Sequence, residues 1–227
     1  MPDNASVKTS SFKHIPVLAA EVLNSIKEIP SQLLNNGLII DATLGGGGHS
    51  ALILQAFPQL HIVGIDQDPD ARNFASQNLS KFKNRIEIVE SNFGDFSPTK
   101  KALFVLADLG VSSPQIDNPE RGFSFKNNGP IDMRMNPLQK ITASKIIEEL
   151  NEQDLANLIY KYGEERLSRR ISRKIKKDLQ EKGPYKGTEE LAYAIAGCYP
   201  KRTRYNKLHP ATRTFQALRI EVNKEME

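Results

Sequence analysis

The chain has 227 residues, with 31 Lys and Arg against 27 Asp and Glu, a formal net charge of +4 and a pI near 9.0. That length suits one large domain or two small ones, and a basic excess this mild has meaning only through where it is concentrated. A lone cysteine, Cys198, excludes an intrachain disulfide and fits a reducing compartment; no run reaches membrane-span length, and the polar residues 1–13 lack the core of a signal peptide, so a cytoplasmic protein with no membrane partner is expected.

Residues 1–12 read as a frayed tail. A helix is predicted from His14 through Ile26, with Val17, Leu18, Val22 and Ile26 on one face. The apolar run 38–40 ends in Asp41 and reads as a buried strand, followed by Gly45, Gly46, Gly47 and Gly48 and by a helical stretch over 50–57 that Pro58 stops. Strand, glycine turn and helix is the opening unit of a nucleotide-type α/β domain, in which the glycines let backbone approach a ligand and the helix start favours an anionic group. Asp41, Thr43, Gly45 and Gly47 alternate, approximating the acidic-x-Gly-x-Gly-x-Gly loop of S-adenosylmethionine methyltransferases with Thr43 in place of the first glycine. A second strand over 61–65 ends in Asp66, about 20 residues further on, where an acid would bind ribose hydroxyls. No Gly-Lys-Ser/Thr follows the glycines, which argues against a P-loop. A flexible glycine-rich turn and a dinucleotide dehydrogenase are the competing readings of this stretch.

Asp68-Pro69 starts the next helix, with Ala71, Phe74, Ala75, Asn78 and Leu79 as its packing face. A third strand is predicted over 85–89, followed by the turn at Asn92-Phe93, and a fourth, apolar on both faces, over 102–107, ending at Asp108. Ligands of open α/β sheets sit outside the carboxyl ends of the strands, where Asp41, Asp66, Phe93 and Asp108 all fall. Beyond Pro114 the βα rhythm stops. A long loop over 116–137 is too rich in aromatics and Met to read as disordered, and helices follow over 142–150, 152–162, 164–182 and 189–199. On the 164–182 helix, Arg166, Arg169, Arg170, Arg173 and Lys177 share a face opposite Leu167, Ile171, Ile175 and Leu179. An ordinary solvated face is the bland alternative; with no acid in the stripe, contact with a nucleic-acid backbone is favoured, and Lys201, Arg202, Arg204 and Lys207 add a second basic cluster. A last helix, over 209–223, carries Phe215, Leu218 and Val222 on one side. No His/Cys cluster has metal-ligand spacing, so no metal is expected.

Seven blocks in series resemble the family of bacterial 16S ribosomal RNA cytosine-N4 methyltransferases, the MraW type, from about His14 to the end of the chain. They are Asp41-Ala-Thr-Leu-Gly-Gly-Gly-Gly-His49-Ser50, Gly64-Ile-Asp66-Gln-Asp68-Pro69, Asp108-Leu-Gly-Val-Ser-Ser-Pro-Gln115, Glu120-Arg-Gly-Phe-Ser-Phe125, Gly129-Pro-Ile-Asp-Met-Arg-Met135, Tyr162-Gly-Glu-Glu-Arg166 and His209-Pro-Ala-Thr-Arg-Thr-Phe-Gln-Ala-Leu-Arg219. The resemblance implies an α/β, Rossmann-like fold with an inserted helical domain: residues 1–115 binding S-adenosylmethionine, 116–208 as inserted loop and helices for substrate RNA, and 209–227 returning to the first domain. It implies methyl transfer from S-adenosylmethionine to a decoding-centre cytosine of 16S rRNA, within the small ribosomal subunit and not on DNA. Its cofactor contacts fall on Gly47, Gly48, His49, Asp66, Phe93, Asp108 and Gln115. Asp108 is the first candidate for the acceptor that orients the cytosine amine, with the 132–134 loop as a second source, and His49 is given a structural role.

The family continues with further strands beyond the position of Glu227, whereas this sequence offers four strand candidates. The expectation is therefore a shortened chain or a decayed product with weak turnover, its fourth strand an exposed apolar edge. An RNA-binding or assembly protein that keeps the fold without turnover is the alternative function, and a nicotinamide-dependent oxidoreductase the third.

Overall fold

The computed structural model describes residues 16–200 and 208–226. The predicted tail, His14, Ile15 and the basic cluster from Lys201 to Lys207 lie outside the described residues. The chain forms two compact units, Met1–Leu109 and Gly110–Glu227.

The first unit is an α/β, Rossmann-like sheet of four parallel strands, β1 (Leu38–Asp41), β2 (His61–Asp66), β3 (Ile86–Glu90) and β4 (Phe104–Leu106), in the order β3-β2-β1-β4. Ile39 pairs with Ile62 and Phe104, and Ile62 with Ile86, so one row of apolar side chains crosses all four strands on one face. That face is buried under α1 (Ala19–Lys27), α2 (Ser31–Leu34), α3 (Gly48–Ala56) and α4 (Pro69–Asn78) through Ile26, Leu34, Ile53, Leu54, Ala75 and Leu79. The other face carries a smaller cluster around Ile40, Ala42 and Ile65, closed in part by Phe96 and Ala102. Among the described residues β4 is an edge strand with Val105 exposed on it, as an apolar edge was expected to be.

Two faces differ from the periodicity. Helix α1 begins only at Ala19, because Leu18 takes a left-handed conformation (φ 53°) that turns the chain and leaves Val17 and Leu18 exposed. On α4, Ala75 and Leu79 are buried, but Phe74 is exposed and the Asn78 amide donates to the Gly46 carbonyl at 3.0 Å. Those two side chains meet the glycine loop instead of the core; a Cβ on Gly46 would come within 2.9 Å of the Phe74 ring.

The second unit is helical: α5 (Ser113–Asp117), α6 (Ala143–Glu149), α7 (Glu152–Gly163), α8 (Ser168–Lys182), α9 (Thr188–Gly197) and α10 (Thr212–Asn223). The long loop before α6 is tied down throughout: Ile131 and Met133 are core residues, and Arg121 donates to the carbonyls of Arg134 and Met135, both at 3.0 Å. The break falls after Leu109, and α10, expected to return to the first unit, packs on α7 and α6 within the second. The reason is its apolar side: Phe215, Leu218 and Val222 join Leu155 and Ile159 in the helical core. Gly163 is the last residue of α7 and permits this approach, since a Cβ there would lie 2.4 Å from the Arg213 carbonyl oxygen; the left-handed turn falls to Glu164. Helix α8 consequently starts at Ser168, and Arg166 lies in the turn before it, not on the helix.

One buried amide joins α10 to the long loop. Asn223 donates to the carbonyl of Met133 at 2.8 Å and accepts from the Met135 N–H at 2.7 Å, holding a loop in which Met133 has φ 62°. Asn223→Ala leaves buried backbone groups unpaired and is expected to lower the stability of this unit by about 1–3 kcal/mol, measured as a lower urea midpoint.

Candidate functional site

The four strand ends of the first unit are organised by the loop between β1 and α3. Gly45 (φ 51°) and Gly47 (φ 76°) take left-handed backbone that other residues rarely adopt. A Cβ on Gly47 would strike Leu79 at 2.7 Å, whereas one on Gly45 would meet only the Thr43 carbonyl oxygen, at 3.9 Å, so the loop is packed on α4 at one glycine and open at the other. Helix α3 then begins with no side-chain cap, leaving the N–H groups of its first turn to an outside acceptor.

Asp66 at the end of β2 accepts the Gly45 N–H on one carboxylate oxygen and the Asp68 N–H on the other, both at 2.8 Å. Burial raises its pKa, against the pull of those two amides. On the opposite side of β1, at the end of β4, the Asp108 N–H donates to Thr43 Oγ1 at 2.7 Å, and the Asp108 carboxylate, about half exposed, lies 3.8 Å from His49 Nε2. Phe93 opens a short 3-10 turn after β3 and is 45% exposed. Gly47, Gly48, His49, Asp66, Phe93 and Asp108 thus all stand at the carboxyl edge of the one sheet.

Asp41 does not share that exposure. It is 1% exposed and spends its carboxylate internally, accepting from Ser50 Oγ at 2.7 Å and from the Thr43 N–H at 3.3 Å. Gln115 belongs to the second unit, where its Oε1 accepts the Ser112 N–H at 2.9 Å in a capping box at the start of α5. Asp132, the alternative acceptor, is engaged by Arg134 in a two-point ion pair, at 2.6 and 2.7 Å. The residue of this loop that sequence reasoning missed is Thr43. It registers there only as a departure from glycine, and its use by Asp108, 65 residues away, leaves no local signal.

The basic stripe of α8 is less bare than its sequence. Arg173 pairs with Glu152 at 3.3 Å, Arg169 donates to Gln153 at 3.1 Å, and Lys177 lies 3.7 Å from Glu181. The acids absent from the stripe are supplied by α7 and by the next turn of α8. Arg166 and Arg170 are exposed, with no side-chain partner among the described residues. Among the described residues no His, Cys, Asp and Glu grouping could hold a metal, and no helix is long and apolar enough to cross a membrane.

The family model described as the MraW methylase family matches residues 11–227. Ribosomal RNA small subunit methyltransferase H of Prochlorococcus marinus strain NATL2A is 60% identical over 226 residues, covering 100% of this chain and 74% of the relative. The protein of the same name from strain NATL1A is 59% identical over 226 residues with the same coverage, and that from strain MIT 9215 is 61% identical over 221 residues, covering 96% of this chain and 73% of its own.

Asp41 supplies a test of the site's electrostatics. Burial, the largest influence, raises its pKa over the opposing bonds from Ser50 and Thr43. A carboxyl raised in the folded state contributes stability below the ordinary carboxylate range and loses it as pH rises through the folded value. Asp41→Asn can keep both hydrogen bonds without the charge. Its denaturation midpoint is therefore expected to gain on the parent's as pH rises from about 4 to 8, by about 1.4 kcal/mol for each unit of the raised pKa.

Proposed function

The chain belongs to the MraW methylase family, and on that premise we propose that it is an S-adenosylmethionine-dependent methyltransferase of ribosomal RNA, acting on the N4 amine of a decoding-centre cytosine of 16S rRNA in the small ribosomal subunit. The observation that carries the reading is the junction of Asp66 and Asp108 on one loop, from opposite flanks of β1, beside an uncapped helix start.

The cofactor has a carboxylate, a cationic sulfonium, ribose hydroxyls and an adenine, and the residues suit each group. The N–H groups of Gly48 and His49 can take the carboxylate, beside Gly47, whose own N–H holds the turn by donating to the Leu44 carbonyl at 2.8 Å. Asp66 keeps lone pairs beyond its two amide bonds for ribose hydroxyls. Phe93 offers an exposed ring to adenine, and the family resemblance adds Gln115 to the set. Carboxylates at two flanking strand ends favour a sulfonium over the pyrophosphate of a nicotinamide dinucleotide. Bound there, S-adenosylmethionine supplies an electrophilic methyl group.

What remains for the protein is orientation. The exocyclic amine of cytosine is a poor nucleophile, because its lone pair is delocalised into the ring. An acceptor for one of its N–H groups turns the amine toward a reactive geometry and takes up positive charge as it develops. Asp108, half exposed and fixed by its backbone to the loop, is that acceptor. The helical unit supplies RNA affinity through phosphate contacts along the proposed stripe of Arg166, Arg169, Arg170, Arg173 and Lys177, led by Arg166 and Arg170, which no acid among the described residues neutralises.

Three measurements test this. Purified protein is expected to transfer labelled methyl groups from S-adenosylmethionine to small subunits lacking the mark, and calorimetry to detect that cofactor and not NADH; the reverse preference would sink the reading. Asp66→Ala is expected to weaken cofactor binding by about 10- to 100-fold with RNA affinity intact. Charge reversal at Arg166 and Arg170 is expected to lower RNA affinity and flatten its log–log salt dependence by about two, while the same change at Arg169 and Arg173, already partnered, costs less.

A further inference from the structure

The Asp108 side chain stands in the loop after β4 and is about half exposed, a poor place from which to orient a substrate amine. The geometry points to a remedy supplied by the neighbouring loop. We infer that Thr43 and His49 are positioning residues that lock Asp108 from two sides, so that forming the cofactor loop and placing the amine acceptor are a single structural event. The inference rests on the reading of Asp108 as acceptor and assigns it a support that neither the glycine pattern nor the family blocks indicate.

The hold has two parts. Thr43 Oγ1 takes the Asp108 N–H at 2.7 Å and thereby fixes the backbone from which the carboxylate extends. A glycine at position 43, as the loop pattern has it, would remove this acceptor. His49 Nε2 then stands 3.8 Å from Asp108 Oδ2, an ion-pair distance longer than a hydrogen bond. The imidazole is itself immobilised, with its side chain 11% exposed in the first turn of α3. Asp41, buried below the same turn, also interacts electrostatically with His49. The ring beside Oδ2 leaves Oδ1 to accept from the amine. Thr43 and Ser50 are both also bonded to Asp41, which makes Asp41 the base on which the two clamps are set.

The clamps are tested by Thr43→Val, Thr43→Ser, His49→Gln, Asp108→Asn and the double variant His49→Gln/Asp108→Asn in the full chain. Thr43→Val and His49→Gln are expected to lower kcat at saturating S-adenosylmethionine by about 10-fold or more, with the cofactor Kd within about threefold of the parent and Thr43→Ser restoring the rate. His49→Gln is expected to add no further loss to Asp108→Asn, since it acts through that carboxylate. A readout free of turnover is the NMR signal of the His49 ring at fixed pH, one of four histidines in the chain and assignable by its loss in His49→Gln. Its chemical shift is expected to move in Asp108→Asn. An unmoved ring signal in that variant, parental kcat in both clamp variants, or a loss confined to cofactor Kd would overturn the inference. Parental kcat in Asp108→Asn, with the ring signal moved, would instead overturn the acceptor assignment in the proposed function.

Discussion

The carboxylate of Asp66 joins three pieces of backbone at the carboxyl end of β2. One oxygen takes the Gly45 N–H, 21 residues earlier in the chain, and the other takes the Asp68 N–H at the entrance to α4. Asp68 in turn caps α4 through the Asp70 N–H at 3.1 Å, with Pro69 in the first turn. Strand end, glycine turn and helix start thereby share one partly buried acid, alongside the Leu44 N–H on the Ile65 carbonyl at 2.9 Å and the Arg72 guanidinium on the Asp66 carbonyl at 3.0 Å. The cost is visible in its raised pKa, since burial of the charge outweighs the two amides that favour it. A site can carry such a cost when the acid also has a ligand to meet, because hydroxyls donating to its remaining lone pairs restore part of what desolvation removed.

The parts of the first unit that were legible in the sequence are those governed by short-range pattern. Apolar β-branched runs ending in an acid mark the strands, and their parallel order follows from the intervening helices. Which way each acid points was not legible. Asp41 and Asp66 stand at equivalent strand ends with similar flanks, yet Asp41 turns inward to Ser50 and Thr43 while Asp66 turns to the loop. The difference lies in register: Asp41 is paired on both sides, with Gly64 and Leu106, whereas Asp66 stands two residues beyond Gly64 on β2 and is paired only with Glu90. Likewise Phe74 and Asn78 fit a helical packing stripe, and only the position of the glycine loop against α4 decides that they meet backbone.

In the helical unit the departures from the sequence pattern share a cause. Periodicity locates a helix face but not the partner on it, so the apolar residues of α10 are legible while the unit they pack into is not. The same blindness makes the α8 stripe look unopposed. A basic helix can be free of acids in its own sequence and still be neutralised by a neighbour, as Arg173 is by Glu152. Lys176 is diverted too, its ammonium donating to the carbonyls of Ile147 and Glu148 at the end of α6, at 2.6 and 3.0 Å, where it serves as a helix cap with a pKa lowered by burial. Of the basic face, the charge left over is concentrated at the end nearest the α7–α8 turn.

That turn is rigid in its own right. Glu165, buried, accepts the Leu167 N–H at 2.7 Å and a hydrogen bond from the Tyr199 hydroxyl, while Arg213 donates to the Glu164 carbonyl at 3.1 Å. The Tyr199 phenol is held protonated by burial and by the adjacent carboxylate, its pKa pushed well above the ordinary tyrosine value. Arg166 and Arg170 therefore project from backbone braced by α9 and α10, not from a loop free to wander. Phosphate contacts made from such a base spend side-chain entropy but little backbone ordering on binding, which is what separates them from contacts made by a loop.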